Sequence, residues 1–177
     1  GDVFGWYPIS IDTTQCNTNS IASQAEQAAV TLGGADLSRY TRRIYAFPSL
    51  PACAWWGLGS VGGFPSRAWV NGSYALQVVG HELGHNFGNY HSHSLPCDAN
   101  GCSTIEYGDS HDIMGNRSTG HMSPFQKERL GWLDYGRSPV LQTVTTSGSY
   151  SVDAYETGGT CYQKLLAQIC SLLKWVL

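Results

Sequence analysis

Residues 81–91 read His81-Glu82-Leu83-Gly84-His85-Asn86-Phe87-Gly88-Asn89-Tyr90-His91, and this stretch decides the reading of the chain. Two histidines four apart project from one face of an α-helix, a turn apart. Both imidazoles can then reach one cation at about 2.0–2.1 Å. Glu82 lies roughly a quarter-turn around the helix. It is badly placed as a ligand and well placed to reach a water in the fourth position. Gly88 can take the left-handed backbone that ends a helix, and the turn it allows brings His91 back as a third ligand. Three imidazole nitrogens with one position left open is the arrangement of catalytic zinc, not of a closed structural site. There the pKa of a bound water is lowered toward about 7, Glu82 takes its proton as general base, and the proton can pass on to a leaving amine. The bland alternative is a set of core histidines. It requires the fixed positions to coincide by chance, on the order of once in 10⁵ such sequences.

Working outward, Ser73 opens a helix that runs through Phe87, with Leu76, Val79, Leu83 and Phe87 as its expected inward stripe. Upstream, Val3 to Ile11 is aromatic and β-branched and reads as a strand. Asn19 or Ser20 caps a helix from about Ile21 to Leu32, stopped by Gly33-Gly34. Ile44 to Phe47 is a second strand, the glycine-rich stretch 54–65 a loop, and Arg67 to Val70 a short strand closed by the turn Asn71-Gly72. Downstream, the chain is loop-like until Ser123-Pro124-Phe125-Gln126. That tetrapeptide predicts a helix start with Ser as N-cap, Pro at the first position and Gln as capping-box partner, running to about Leu130. Tyr150 to Tyr155 reads as another strand, and Lys164 to Leu177 carries an apolar helical pattern.

The chain has 177 residues, 42% of them hydrophobic, which is enough for one domain with a core. Its net charge is −3 and it has no basic run, so nucleic acid is not an expected partner. No apolar run approaches the roughly 20 residues that span a bilayer. Gly1-Asp2-Val3-Phe4 is not a signal peptide, so a mature form or an excised fragment is expected. The cysteines stand at 16, 53, 97, 102, 161 and 170, an even count without a C-x-x-C pair. Cys97 and Cys102 bracket a turn-rich tetrapeptide and are expected to bridge; Cys16 and Cys53 could pair with each other, but connectivity is open. Asn71-Gly72-Ser73 and Asn116-Arg117-Ser118 match the glycosylation sequon. His93, His111 and His121 lack ligand spacing.

The stretch from His81 to His91, followed by Asp112-Ile113-Met114-Gly115, resembles the metzincin signature with its later Met-turn. That resemblance implies Met114 as a hydrophobic floor beneath the metal, not a ligand. Asn116 stands where some metzincins carry a further tyrosine ligand. Glu106-Tyr107-Gly108-Asp109, Ser123-Pro124-Phe125-Gln126-Lys127 and Leu130-Gly131-Trp132-Leu133 are similar to the gametolysin-like peptidases. Ser92 after the last histidine is shared with matrixins, the runner-up. The resemblance covers about residues 3–157 and implies an α+β fold with an α/β-like N-terminal part. It would be a twisted mixed sheet, with an antiparallel edge strand near Arg67 to Val70, the active-site helix packed on it and a smaller C-terminal subdomain. The catalytic domain would be 1–157, with an upper subdomain to about 88 and a lower one over 89–157, leaving 158–177 as an atypical tail.

The function implied is a secreted, monomeric zinc endopeptidase acting on protein or peptide substrates, with His81, His85 and His91 on Zn²⁺, Glu82 catalytic, and Gly88 and Met114 in support. The rivals are a zinc hydrolase of a non-peptide bond and a zinc-binding module without catalysis; the intact Glu82 speaks against the second.

Overall fold

Asn17 closes the start of the first helix: its side chain accepts the Ser20 backbone N–H at 3.0 Å. This helix, α1 (Thr18–Gly33), ends at Gly34, whose φ of 65° is the left-handed cap that Gly33-Gly34 predicts. The computed structural model describes residues 1–116, 121–132 and 145–149. It divides into two compact units, Gly1–Tyr90 and His91–Leu177. The expected strand at Tyr150 to Tyr155 and the helical pattern at Lys164 to Leu177 lie outside the described residues.

In the first unit β1 (Arg42–Phe47), β2 (Gly57–Gly59) and β3 (Ser66–Asn71) form a sheet of order β1-β3-β2. β1 runs parallel to β3 and β2 antiparallel to it, so the sheet is mixed, as expected of an α+β chain. The edge assignment is corrected. The strand around Arg67 to Val70 is central, and among the described residues the antiparallel edge strand is β2, inside the stretch read as a loop. Burial of Ser66, Ala68, Trp69, Val70 and Asn71 shows why β3 is central, since it is covered on both sides. Val3 to Ile11 is not a strand. It forms no ladder: Ser10 N–H donates to Gln24 on α1, Tyr40 O–H donates to Asp2, and Phe4 meets the Tyr40 ring edge-on. Its aromatic residues are used for side-chain contacts, which β-propensity alone does not distinguish from strand pairing.

The core of this unit joins Ile21 and Ala22 of α1 to Tyr45, Phe47, Leu50, Cys53 and Trp69. The Cys16–Cys53 disulfide ties the segment before α1 to the loop after β1. Asn71 secures that loop, accepting from Leu50 N–H and donating to the Leu50, Cys53 and Trp55 carbonyls. Behind the sheet, one oxygen of Glu26 meets Arg43 at 3.0 Å and Arg67 at 3.3 Å and accepts from the Tyr45 hydroxyl. Burial alone would raise the Glu26 carboxyl, but Tyr45, Arg43 and Arg67 together hold it below the usual range. Its contribution is therefore present at neutral pH and lost as pH falls through that lowered value. Glu26→Ala is expected to cost about 1–3 kcal/mol at pH 7, discounted for partial exposure of the two arginines. Denaturant midpoints should show the gap between wild type and variant narrowing toward pH 3. A gap that widens in acid would contradict the assignment.

The second helix, α2 (Leu76–Asn86), starts later than Ser73, at an Ala75 N-cap that makes no side-chain cap bond. Its inward face is also corrected. Leu76 is 70% exposed and Phe87 37%, while Val78, Glu82, His85 and Asn86 are buried. Asn86 Nδ2 donates to the Ser60 and Arg67 carbonyls at 3.1 and 2.8 Å, pinning the end of α2 beside β2 and β3.

The second unit holds the short antiparallel pair β4 (Cys97–Asp98) and β5 (Gly101–Cys102) and the helix α3 (Pro124–Arg129). The Cys97–Cys102 bridge is present. Ser123 accepts at the start of α3 as expected, through Oγ from Gln126 N–H and through its carbonyl from Lys127 N–H. Among the described residues no helix is long and apolar enough to cross a membrane.

Candidate metal centre

The three histidines singled out by their spacing come together: one ring nitrogen from each of His81, His85 and His91 lies within 4.8 Å of the others. Helical geometry places the first two, whose rings stand edge to face with centroids 4.8 Å apart. Gly88 redirects the chain toward the third with φ of 100°, a conformation costly for any residue with a Cβ. His93, His111 and His121 are exposed and do not join the group.

The donor set fits a divalent cation of borderline softness. His85 Nδ1 lies 2.8 Å from the Asn89 carbonyl, and His91 Nδ1 lies 2.6 Å from Glu106 Oε1. A carbonyl and a carboxylate only accept, so each Nδ1 carries a proton, and in the neutral ring that leaves the lone pair on Nε2. The turn at Gly88 thus does two things: it redirects the chain and it presents the Asn89 carbonyl that sets the His85 tautomer.

Glu82 is 6% exposed and faces the edge strand. Gly57 and Gly59, on the same face of β2, make room for it. A Cβ on Gly57 would come within 2.7 Å of Glu82 Cγ, and one on Gly59 within 2.7 Å of the Glu82 carbonyl oxygen. Burial pushes the Glu82 carboxyl up to about 7, into the range where a group can take and return a proton near neutrality. The sequence reading missed these glycines as strand residues. Their alternation was the available signal, weakened by low β-propensity.

In the second unit Met114 is fully buried and packs with Ile113 and Met122. The turn that carries it is built on Asp112, 0% exposed and absent from the predicted site. Its carboxyl oxygens accept from Met114 N–H at 2.9 Å, Ser92 Oγ–H at 3.0 Å and Ser123 N–H at 3.0 Å. Ser92 N–H donates to the Met114 carbonyl at 2.8 Å, so the residue after His91 is bonded directly to the methionine turn.

The family model described as Gametolysin peptidase M11 matches residues 7–177. An autolysin of Chlamydomonas reinhardtii is 34% identical over 101 residues, which cover 51% of this chain and only 15% of the relative's own length. No solved structure matches.

Proposed function

The chain belongs to the gametolysin peptidase M11 family, and we propose that it is the zinc-dependent, metzincin-type catalytic domain of an endopeptidase that cleaves proteins outside the cell. The observation that carries the reading is the convergence of the His81, His85 and His91 nitrogens, with the buried Glu82 one position from the first of them. His81, His85 and His91 would hold the ion through imidazole nitrogens, with Gly88 and the buried Met114 in support. Zinc bound there would acidify a water and polarise the peptide carbonyl. Glu82 would take the proton of the attacking water on its carboxylate and return it to the departing amine nitrogen. Its raised affinity for that proton suits both steps. Among the described residues β2 ends the sheet, so its outer edge would offer backbone groups along which an extended peptide can align beside α2. Disulfides at Cys16–Cys53 and Cys97–Cys102 support an oxidising, extracellular setting.

The test is casein hydrolysis before and after chelation. Cleavage that stops with chelator and returns with one equivalent of zinc supports the reading. Cleavage indifferent to chelation, or stoichiometric zinc binding without cleavage of casein or of a peptide library, would overturn it.

A further inference from the structure

His91 is held by more than the turn at Gly88. From Ser94 the chain enters an antiparallel hairpin. Ser94 and Ile105 exchange backbone hydrogen bonds at 3.1 and 2.9 Å, Cys97 pairs with Cys102 in β4 and β5, and a disulfide closes that same pair. The register returns residues 106–108 to the neighbourhood of His91. Glu106 Oε1 then lies 2.6 Å from His91 Nδ1. Tyr107 follows at φ 58°, a left-handed conformation that is unfavourable for a bulky residue. Its ring sits against the His91 imidazole with centroids 4.0 Å apart. Gly108 is needed next, because a Cβ there would come within 2.7 Å of the Ser94 backbone nitrogen. Residues 106–108 thus act together on one imidazole, through a carboxylate, a strained aromatic and a glycine that lets the chain pack close enough to deliver both.

The Glu106 side chain is 62% exposed. A carboxylate contact this exposed contributes little to folding. Its effect on His91 is of another kind. A free imidazole in water places its proton mainly on Nε2, and an acceptor at Nδ1 reverses this, leaving the lone pair on Nε2. Carboxylates bonded to a ligand histidine in this way orient the ring and raise its basicity.

We propose that Glu106, delivered by the disulfide-closed hairpin, is a positioning residue that fixes the Nδ1–H tautomer of His91 and so commits Nε2 to the metal; this rests on the zinc reading above. The first readout needs no metal. Long-range ¹H–¹⁵N correlation spectra of histidine-labelled, metal-free protein at pH 8 should show His91 in the Nδ1–H form. In Glu106→Ala it should shift to Nε2–H. His85, whose Nδ1 is held independently by the Asn89 carbonyl, should keep its tautomer in both and so reports that the variant is folded. Glu106→Gln retains an accepting oxygen and should largely preserve the wild-type His91 tautomer. The second readout is zinc affinity by competition with a chromogenic chelator, expected to fall by about 10–100-fold in Glu106→Ala and by less in Glu106→Gln. A wild-type His91 already in the Nε2–H form, or Glu106→Ala with unchanged tautomer and zinc affinity within about twofold of wild type, would overturn the proposal. Failure of wild type to bind zinc would instead strike the zinc reading, and the metal-free spectra would still decide the role of Glu106.

Discussion

Glu82→Gln should lower casein turnover by on the order of 10²–10⁴ while zinc stays bound. The amide keeps the size of the side chain in the notch formed by Gly57 and Gly59 but cannot take a proton from water. Because Glu82 is not among the three converging nitrogens, metal content should not change. The same substitution should have an opposite effect on stability without metal. The buried carboxyl is pushed up to about 7 from 4.5, so the folded chain holds a proton there that the unfolded chain has released. The stability tied to that proton is complete below pH 4.5 and is lost as pH rises through about 7. At pH 8 the metal-free variant should therefore be the more stable protein, by up to about 3 kcal/mol, with the gap closing toward pH 4.5. Near-wild-type turnover in a zinc-loaded variant would remove Glu82 from the mechanism. A metal-free variant less stable than wild type at pH 8 would mean that its burial is not the cost described.

Asp112→Ala should be strongly destabilising to the second unit. It strips acceptors from the buried Met114 and Ser123 N–H groups and from the partly buried Ser92 Oγ–H. Leaving such donors unsatisfied costs about 1–3 kcal/mol each, so a total on the order of 3–5 kcal/mol and a fall in Tm of about 10 °C are expected. Zinc affinity should fall as well, because Ser92 follows His91 directly and its N–H is bonded to the Met114 carbonyl. Calorimetry and metal titration of the one variant check both parts. A Tm within about 2 °C of wild type would show that the turn does not depend on Asp112.

The convergence of the three histidines was legible because helical periodicity and one glycine are local facts. His81 and His85 four apart, and Gly88 before His91, need no knowledge of the rest of the chain. The α3 cap at Ser123 and the stop at Gly34 were legible for the same reason. What misled was tertiary. The apolar stripe Leu76, Val79, Leu83 and Phe87 suggested the inward face of α2, yet the helix turns Glu82, His85 and Asn86 inward, where chemistry and not hydrophobicity sets the pattern. β2 was hidden because Gly57-Leu58-Gly59 has poor strand propensity, and its glycines are explained by α2 pressed against them, the Glu82 side chain at Gly57 and the Glu82 carbonyl at Gly59. Val3 to Ile11 looked like a strand because its residues suit one, but no neighbouring strand pairs with it among the described residues. Asp112 and Glu106 act through partners as many as 20 residues away in sequence, a separation at which spacing carries no signal.

The central claim is that His81, His85 and His91 form one zinc site, and metal analysis of the exhaustively dialysed chain tests it most directly. Wild type is expected to hold one zinc per chain, retained against competing magnesium and calcium, and each of His81→Ala, His85→Ala and His91→Ala far less than one. Wild-type protein with no tightly held zinc, or single-histidine variants that each keep a full equivalent, would contradict it.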